Sequence, residues 1–123
     1  MKTHYCLMLY LIPFMTVAAP AAPDYPGCDL NAQHQLRGEP GGSMPDVRQA
    51  HISMRANVLE ADIGNARKAR RLTASKAAAL WQAVAQVRKD SDQLVKKQGF
   101  LSAAERASYD RALDRVASQL CLF

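Results

Sequence analysis

Sulfur and imidazole side chains near the middle of the chain suggest soft-metal chemistry. Met44, His51 and Met54 lie close together in sequence, and His51 and Met54, three positions apart, share one face of any helix that holds them. Thioether and imidazole ligands suit Cu(I). The pattern predicts a soft-metal or small-ligand site at these three residues. The alternative interpretation is that Met54 belongs to an apolar helix face and that His51 is packed or solvated.

The densest charge in the chain is a run of cations that comprises Arg67, Lys68, Arg70 and Arg71. Such a run can bind nucleic acid inside a cell, but the export signal described below argues against that partner. We therefore expect either an acidic partner protein or an anionic envelope surface. The alternative is a solvated helix end, where cations complement the partial negative charge of a helix C-terminus.

Residues of the catalytic types show no convergent pattern, so we predict no enzyme and no cofactor. Beyond the first 21 residues the histidines are His34 and His51, and the cysteines lack the spacing of a redox motif. Asp110 and Asp114 are four positions apart, as on one helix face. The cations that we expect to pair with them within that helix are Arg106, Arg111 and Arg115.

The N-terminus predicts export. Lys2 precedes an apolar run over residues 6–17, which has the length of a signal-peptide core and is too short to span a bilayer. Small residues follow, and cleavage after Ala18 or after Ala21 fits the small-residue rule. We therefore predict a signal peptide over 1–21 and a periplasmic or secreted mature chain without a transmembrane segment. An uncleaved membrane anchor is the alternative.

Export changes the interpretation of the three cysteines. Cys6 is removed with the signal peptide, whereas Cys28 and Cys121 remain as an even pair in an oxidising compartment. We predict a disulfide between them, which would stabilise the chain by about 4–5 kcal/mol in the loop-entropy model. Free or intermolecular thiols are the alternative. Because Lys2 is the signal segment's one charged residue, its removal lowers the net charge from +5 to +4.

Helix-forming residues dominate the second part of the chain. Prolines and glycines are frequent over 22–45, which predicts an irregular tether, whereas 46–123 contains no proline and is rich in Ala, Leu, Lys, Arg and Gln. We predict an all-α domain that forms either a three-helix bundle or extended helical hairpins. The predicted helices cover about 45–70, 74–97 and 103–120.

Hydroxyl and carboxylate side chains mark the start of each predicted helix. Ser43 or Asp46 can cap the first helix, and Thr73 can cap the second. Ser102 and Glu105, three residues apart, form a capping-box pattern at the start of the third.

Apolar residues recur at three- and four-residue steps within each predicted helix, which predicts three buried faces. In the first helix that stripe is Ile52, Ala56, Leu59, Ile63 and Ala66, with Val47, Met54 and Val58 beside it. In the second it is Ala77, Leu80, Trp81, Val84, Val87 and Leu94, and in the third Tyr109, Leu113, Val116 and Leu120. Since three helices this short are not expected to cover both stripes of the first helix, we expect a protein partner or self-association.

Two helix starts carry a likeness to known proteins. Residues 72–73 read LT at the second helix, and residues 99–106 read GFLSAAER at the third. These turns resemble the "L-T" and "G-x-L-S-x-x-E-R" turns of a group of small exported proteobacterial helical proteins of uncharacterised function. The resemblance covers roughly 59–120 and implies an exported helical protein without implying a reaction. A looser resemblance links the same turns to periplasmic chaperones with L-T-x-x-Q repeats.

These patterns together predict an exported, non-enzymatic interaction protein, such as an envelope-stress adaptor or a chaperone-like helical protein. The alternative from another class is a soft-metal or small-ligand binding module of the periplasm. A third interpretation is a secreted protein that acts as a toxin or as an inhibitor of an envelope enzyme.

Overall fold

A computed structural model of the chain describes residues 25–121. The predicted signal peptide over 1–21 and its cleavage site lie outside these residues. Within them, the chain forms three long helices, α2 (Val47–Lys68), α3 (Ala74–Gln98) and α4 (Ala103–Leu120). A short 3-10 helix over Pro26–Cys28 and a six-residue helix, α1 (Leu30–Gln35), precede them.

Each of the three long helices packs against the other two, so the fold is a three-helix bundle. The prediction of an all-α domain is thereby confirmed, and the bundle is the observed one of its two arrangements. The helix bounds lie within two residues of those predicted from the apolar periodicity. Residues 25–121 form no strand beyond a single bridge between Gly41 and Met44. None of the helices in this part of the chain is long and apolar enough to cross a membrane.

The helix starts use the capping residues that the sequence indicates. The carboxylate of Asp46, rather than Ser43, caps α2 by accepting the backbone N–H three residues on, at 2.8 Å. Thr73 caps α3 in the same way at 3.1 Å. Ser102 and Glu105 form a complete capping box, since each side chain accepts the backbone N–H of the other residue. Each cap satisfies N–H groups that lack a partner within the helix.

The core lies between the inner faces of the three helices. The predicted inner stripe of α2 is completely buried, and the inner faces of α3 and α4 meet it. Trp81 differs from the prediction, because 38 % of it is exposed. Its indole lies beside Gly64 and donates a hydrogen bond to the Glu60 carbonyl at 3.3 Å, at the rim of the α2–α3 interface. Ser91 and Val95 are buried in α3 instead, and Leu94 is half-buried.

The second apolar stripe of α2 faces outward. Val47 is 57 % exposed and Met54 is 39 % exposed, while Val58 is half-buried. The bundle therefore leaves part of the broad apolar surface of α2 uncovered, as the sequence predicted from helix size.

The segment before α2 packs against the bundle. The prediction of an irregular tether over 22–45 is wrong for Leu30–Gln35, which forms α1 with Asp29 as its N-cap. The predicted disulfide is confirmed, since Cys28 bonds to Cys121 at the end of α4. Next to it, the buried Gly27 N–H donates to the Asp62 carboxylate at 2.7 Å. Burial raises the pKa of Asp62, and this hydrogen bond lowers it by less.

Gly38 brings the chain back onto α2. It is buried, and a Cβ added there would lie 2.1 Å from the backbone carbon of Ala50. Only glycine allows this approach without a backbone shift. Residues 34–38 are thereby held across the first turns of α2.

Candidate binding cleft

A buried ion network joins α2 to α4. The Arg55 side chain is fully buried, and its Nη1 donates to the Asp110 carboxylate at 2.8 Å. Its Nη2 donates to the Asp114 carboxylate at 2.7 Å. A buried guanidinium needs this compensation, because an unpaired charge in the interior costs several kcal/mol. The network therefore fixes the register between α2 and α4.

His51 links this network to the segment before α2. Its Nε2 lies 2.8 Å from Asp110 Oδ1, and its Nδ1 lies 2.5 Å from the Leu36 carbonyl oxygen. Because a carboxylate and a carbonyl only accept, both bonds form together when both ring nitrogens carry protons. Arg106 Nη2 lies 3.2 Å from the same Nε2, which cannot accept from it while donating to Asp110. His51 thus joins residue 36 to α4 through its two ring nitrogens.

The surroundings of Asp110 shift its acidity. Burial by itself raises the pKa of this carboxyl, but hydrogen bonds and charges from His51 and Arg55 outweigh burial and hold the pKa below its ordinary value. Asp114 has a second partner at the surface, since His34 Nε2 lies 2.8 Å from its carboxylate. The two carboxylates of α4 are therefore both matched by cationic or donor groups.

A cleft of about 620 Å³ opens above this network. It lies between residues 34–38, the first turns of α2 and the start of α4. Three arginines line it, one from each of these elements, and no Asp or Glu does. The lining residues are His34, Gln35, Leu36, Arg37, Gly38, Val47, Arg48, His51 and Arg106.

The three arginines keep donors for a ligand. Arg37 is exposed and forms no hydrogen bond or ion pair within residues 25–121. Arg48 uses Nη1 on the Leu101 carbonyl at 3.0 Å, and Arg106 uses Nη2 on the His34 carbonyl at 2.9 Å. Arg106 Nε is buried without a hydrogen bond, although it lies 3.5 Å from Asp110 Oδ2.

The three predicted soft-metal ligands do not line one cavity together. His51 lies at the cleft with both ring nitrogens occupied, whereas Met44 lines a separate cavity of about 380 Å³ beside Asp92 and Lys96. Met54 lines neither of these two cavities. Within residues 25–121, no cluster of three or more His, Cys, Asp or Glu side chains could hold a metal ion.

The basic run lies at the far end of α2 from the cleft. Arg67 and Lys68 are in the last turn of the helix, and Arg70 follows at a φ of 60°. Arg71 lies over the Tyr25 ring, 5.7 Å from its centroid. All four cations are exposed, and α2 separates them from the cleft by about 30 Å, the length of a helix of this size.

Sequence reasoning missed Arg55 and misjudged its acidic partners. The expectation that Asp114 pairs with cations of its own helix is wrong, because Arg55 and His34 hold it. Asp110 keeps one such neighbour, Arg106, at 3.5 Å. Two sequence patterns indicate this pairing: the basic residues His51 and Arg55 are four positions apart, and the two aspartates have the same spacing.

No protein-family model matches the chain, and neither a curated protein nor a solved structure is significantly similar to it. The resemblance to small exported helical proteins therefore stays a prediction. The case for function rests on the cleft and on the bundle that forms it.

Proposed function

We propose that this chain is an exported, non-enzymatic interaction protein of the periplasm or the extracellular space, acting as an adaptor or chaperone-like component. Its partner binds at the cleft between residues 34–38, α2 and α4. The observation that carries the proposal is the lining of that cleft, where three arginines adjoin the 57 % exposed Val47. Arginine beside an exposed apolar side chain is a composition typical of protein interfaces.

The chemistry of the described histidines supports binding over catalysis. His51 bonds to a carbonyl and a carboxylate, and His34 bonds to a carboxylate. Within residues 25–121, neither histidine contacts a serine, threonine or cysteine side chain by a hydrogen bond. A nucleophile activated by a base requires such a contact. The arrangement is suited to holding a partner.

The Cys28–Cys121 disulfide supports the proposed location. Such bonds persist in oxidising compartments and are rare in the cytosol. The predicted signal peptide provides the route. Processing of the chain with loss of its first 18 or 21 residues, read from the N-terminal sequence of the exported protein, is the expected outcome.

Capture from an envelope extract tests the proposed function. The bait is the exported, oxidised chain, compared with Arg37→Glu and Val47→Asp at the cleft and with Lys89→Glu on α3 as a matched control. We expect a specific protein to be retained by wild type and by Lys89→Glu and lost by both cleft variants. Equal capture by all four baits, or no specific capture by wild type, would overturn the proposal.

Sedimentation of the same chain tests whether the partner is a second copy of this chain. A concentration-dependent dimer that Val47→Asp dissociates would make the partner a second copy of this chain. A monomer at all concentrations leaves a different protein as the partner.

A further inference from the structure

We propose that the cleft is an oxyanion site, in which Arg37, Arg48 and Arg106 bind a carboxylate or phosphate group. The inference rests on the proposed function only in using the same cleft. The three guanidinium groups come from different elements: the segment before α2, the first turn of α2 and the start of α4. A volume of about 620 Å³ is in the range of small-molecule sites.

The charge around the cleft favours an anion. Asp110 and Asp114 lie beneath it and pair with Arg55, His51 and His34, and Arg106 Nε also lies 3.5 Å from Asp110 Oδ2. Within residues 25–121, the lining residues Arg37 and Arg48 form no ion pair, whereas Arg106 has Asp110 as its partner. Cations grouped in a concavity focus a positive potential, and an oxyanion relieves their mutual repulsion.

The donors available match an oxyanion in kind. Arg37 has its whole guanidinium group to offer, and Arg48 and Arg106 each keep one Nη group that forms no hydrogen bond within residues 25–121. Planar guanidinium groups donate paired hydrogen bonds to carboxylate and phosphate oxygens.

The cleft also has an apolar wall. Val47 and Leu36 line it beside the arginines. A ligand that carries its anionic group on a short apolar body would contact both. A free phosphate would use only the arginines, and this difference separates the two sources of oxyanion.

Titration followed by NMR or calorimetry tests the proposal on the exported, oxidised chain at constant ionic strength. The probes are inorganic phosphate, acetate and hexanoate. We expect saturable binding of at least one probe, about tenfold weaker for Arg37→Gln because one charge-assisted contact is lost, and unchanged for Lys89→Gln. Hexanoate binding tighter than acetate assigns the site to a carboxylate on an apolar body, and phosphate binding tightest assigns it to phosphate.

Two results would overturn the inference: no saturable binding of any probe, or equal weakening in Arg37→Gln and Lys89→Gln, which marks non-specific screening. These failures are distinct from failure of the proposed function. If a partner is captured through the cleft but no oxyanion binds, the interaction role stands and the oxyanion site does not. If an oxyanion binds but no partner is captured, the oxyanion site stands and the interaction role does not.

Discussion

At the scale of single residues, Arg55 decides how α2 and α4 fit together. Its guanidinium is fully buried and holds two aspartates of α4. Sequence patterns did not reveal it, because an arginine next to an apolar stripe is usually solvated and its burial depends on partners more than fifty residues away. Long-range partners also contact both ring nitrogens of His51, and the sequence predicted a soft-metal ligand there without indicating those partners.

Replacing Arg55 should be costly. We expect Arg55→Met to lower the free energy of unfolding by about 3–5 kcal/mol, because a buried and a half-buried carboxylate each lose one of their partners. Combining it with Asp110→Asn should cost less than the sum of the two single changes. Urea unfolding measures both, with the exposed Arg111→Gln as control. A cost for Arg55→Met no larger than that of Arg111→Gln would contradict the network.

Asp110 and Asp62 should give the stability opposite pH dependences. The lowered pKa of Asp110 contributes stability that is present above its unfolded value of about 3.9 and is lost as pH falls below that value. The raised pKa of Asp62 has the opposite effect, because the stability of the folded state increases as pH falls through that pKa. As pH falls from 7 to about 4, the free energy of unfolding of Asp62→Asn should decrease relative to that of wild type. Below about pH 4, the difference in free energy of unfolding between wild type and Asp110→Asn should become smaller. Urea unfolding across this range measures both differences, and parallel pH profiles would refute the assignment.

At the scale of elements, local sequence patterns predicted the three long helices but not the structure of the segment before α2. The caps at Thr73 and Ser102 and the inner stripes are local patterns, and they predicted α2, α3 and α4 closely. Helix α1 has no apolar period, and the path of residues 36–38 depends on contacts with α2. The cleft therefore could not be predicted, because residues 34–38, which form one side of it, are held only by tertiary contacts.

A substitution at Gly38 tests whether residues 34–38 contribute to oxyanion binding at the cleft. We expect Gly38→Ala to push residues 34–38 away from α2, because its Cβ would overlap the backbone of Ala50. Oxyanion binding should weaken while the helical circular dichroism of the bundle is kept. Gly41→Ala is the matched control, since a Cβ there meets nothing within 4 Å. Unchanged oxyanion binding in Gly38→Ala would show that residues 34–38 are not part of the site.

At the scale of the whole molecule, the disulfide joins the two ends of the described chain. Cys28 and Cys121 are 93 positions apart, so the bond closes almost the complete bundle and fixes the start of the segment that leads to the cleft. The sequence predicted this bond from compartment and cysteine count alone. It could not show that the bond also holds the 3-10 helix over Pro26–Cys28 against α2 and α4.

Removing the disulfide should affect stability more than helix content. We expect the Cys28→Ala, Cys121→Ala double variant to lose about 4–5 kcal/mol of unfolding free energy by the loop-entropy model, while α2, α3 and α4 remain paired through their core. Thermal unfolding with far-ultraviolet circular dichroism measures both quantities. An unchanged midpoint would contradict a stabilising role for the bond.

Photo-crosslinking in the producing cell tests the central claim most directly, which is that a partner binds at the cleft. A photoreactive amino acid replaces Val47 at the cleft or, as the control, Ala85 on the exposed face of α3. We predict a discrete cross-linked product from position 47, abolished by Arg37→Glu, and none from position 85. Equal products from both positions, or none from position 47, would contradict the claim.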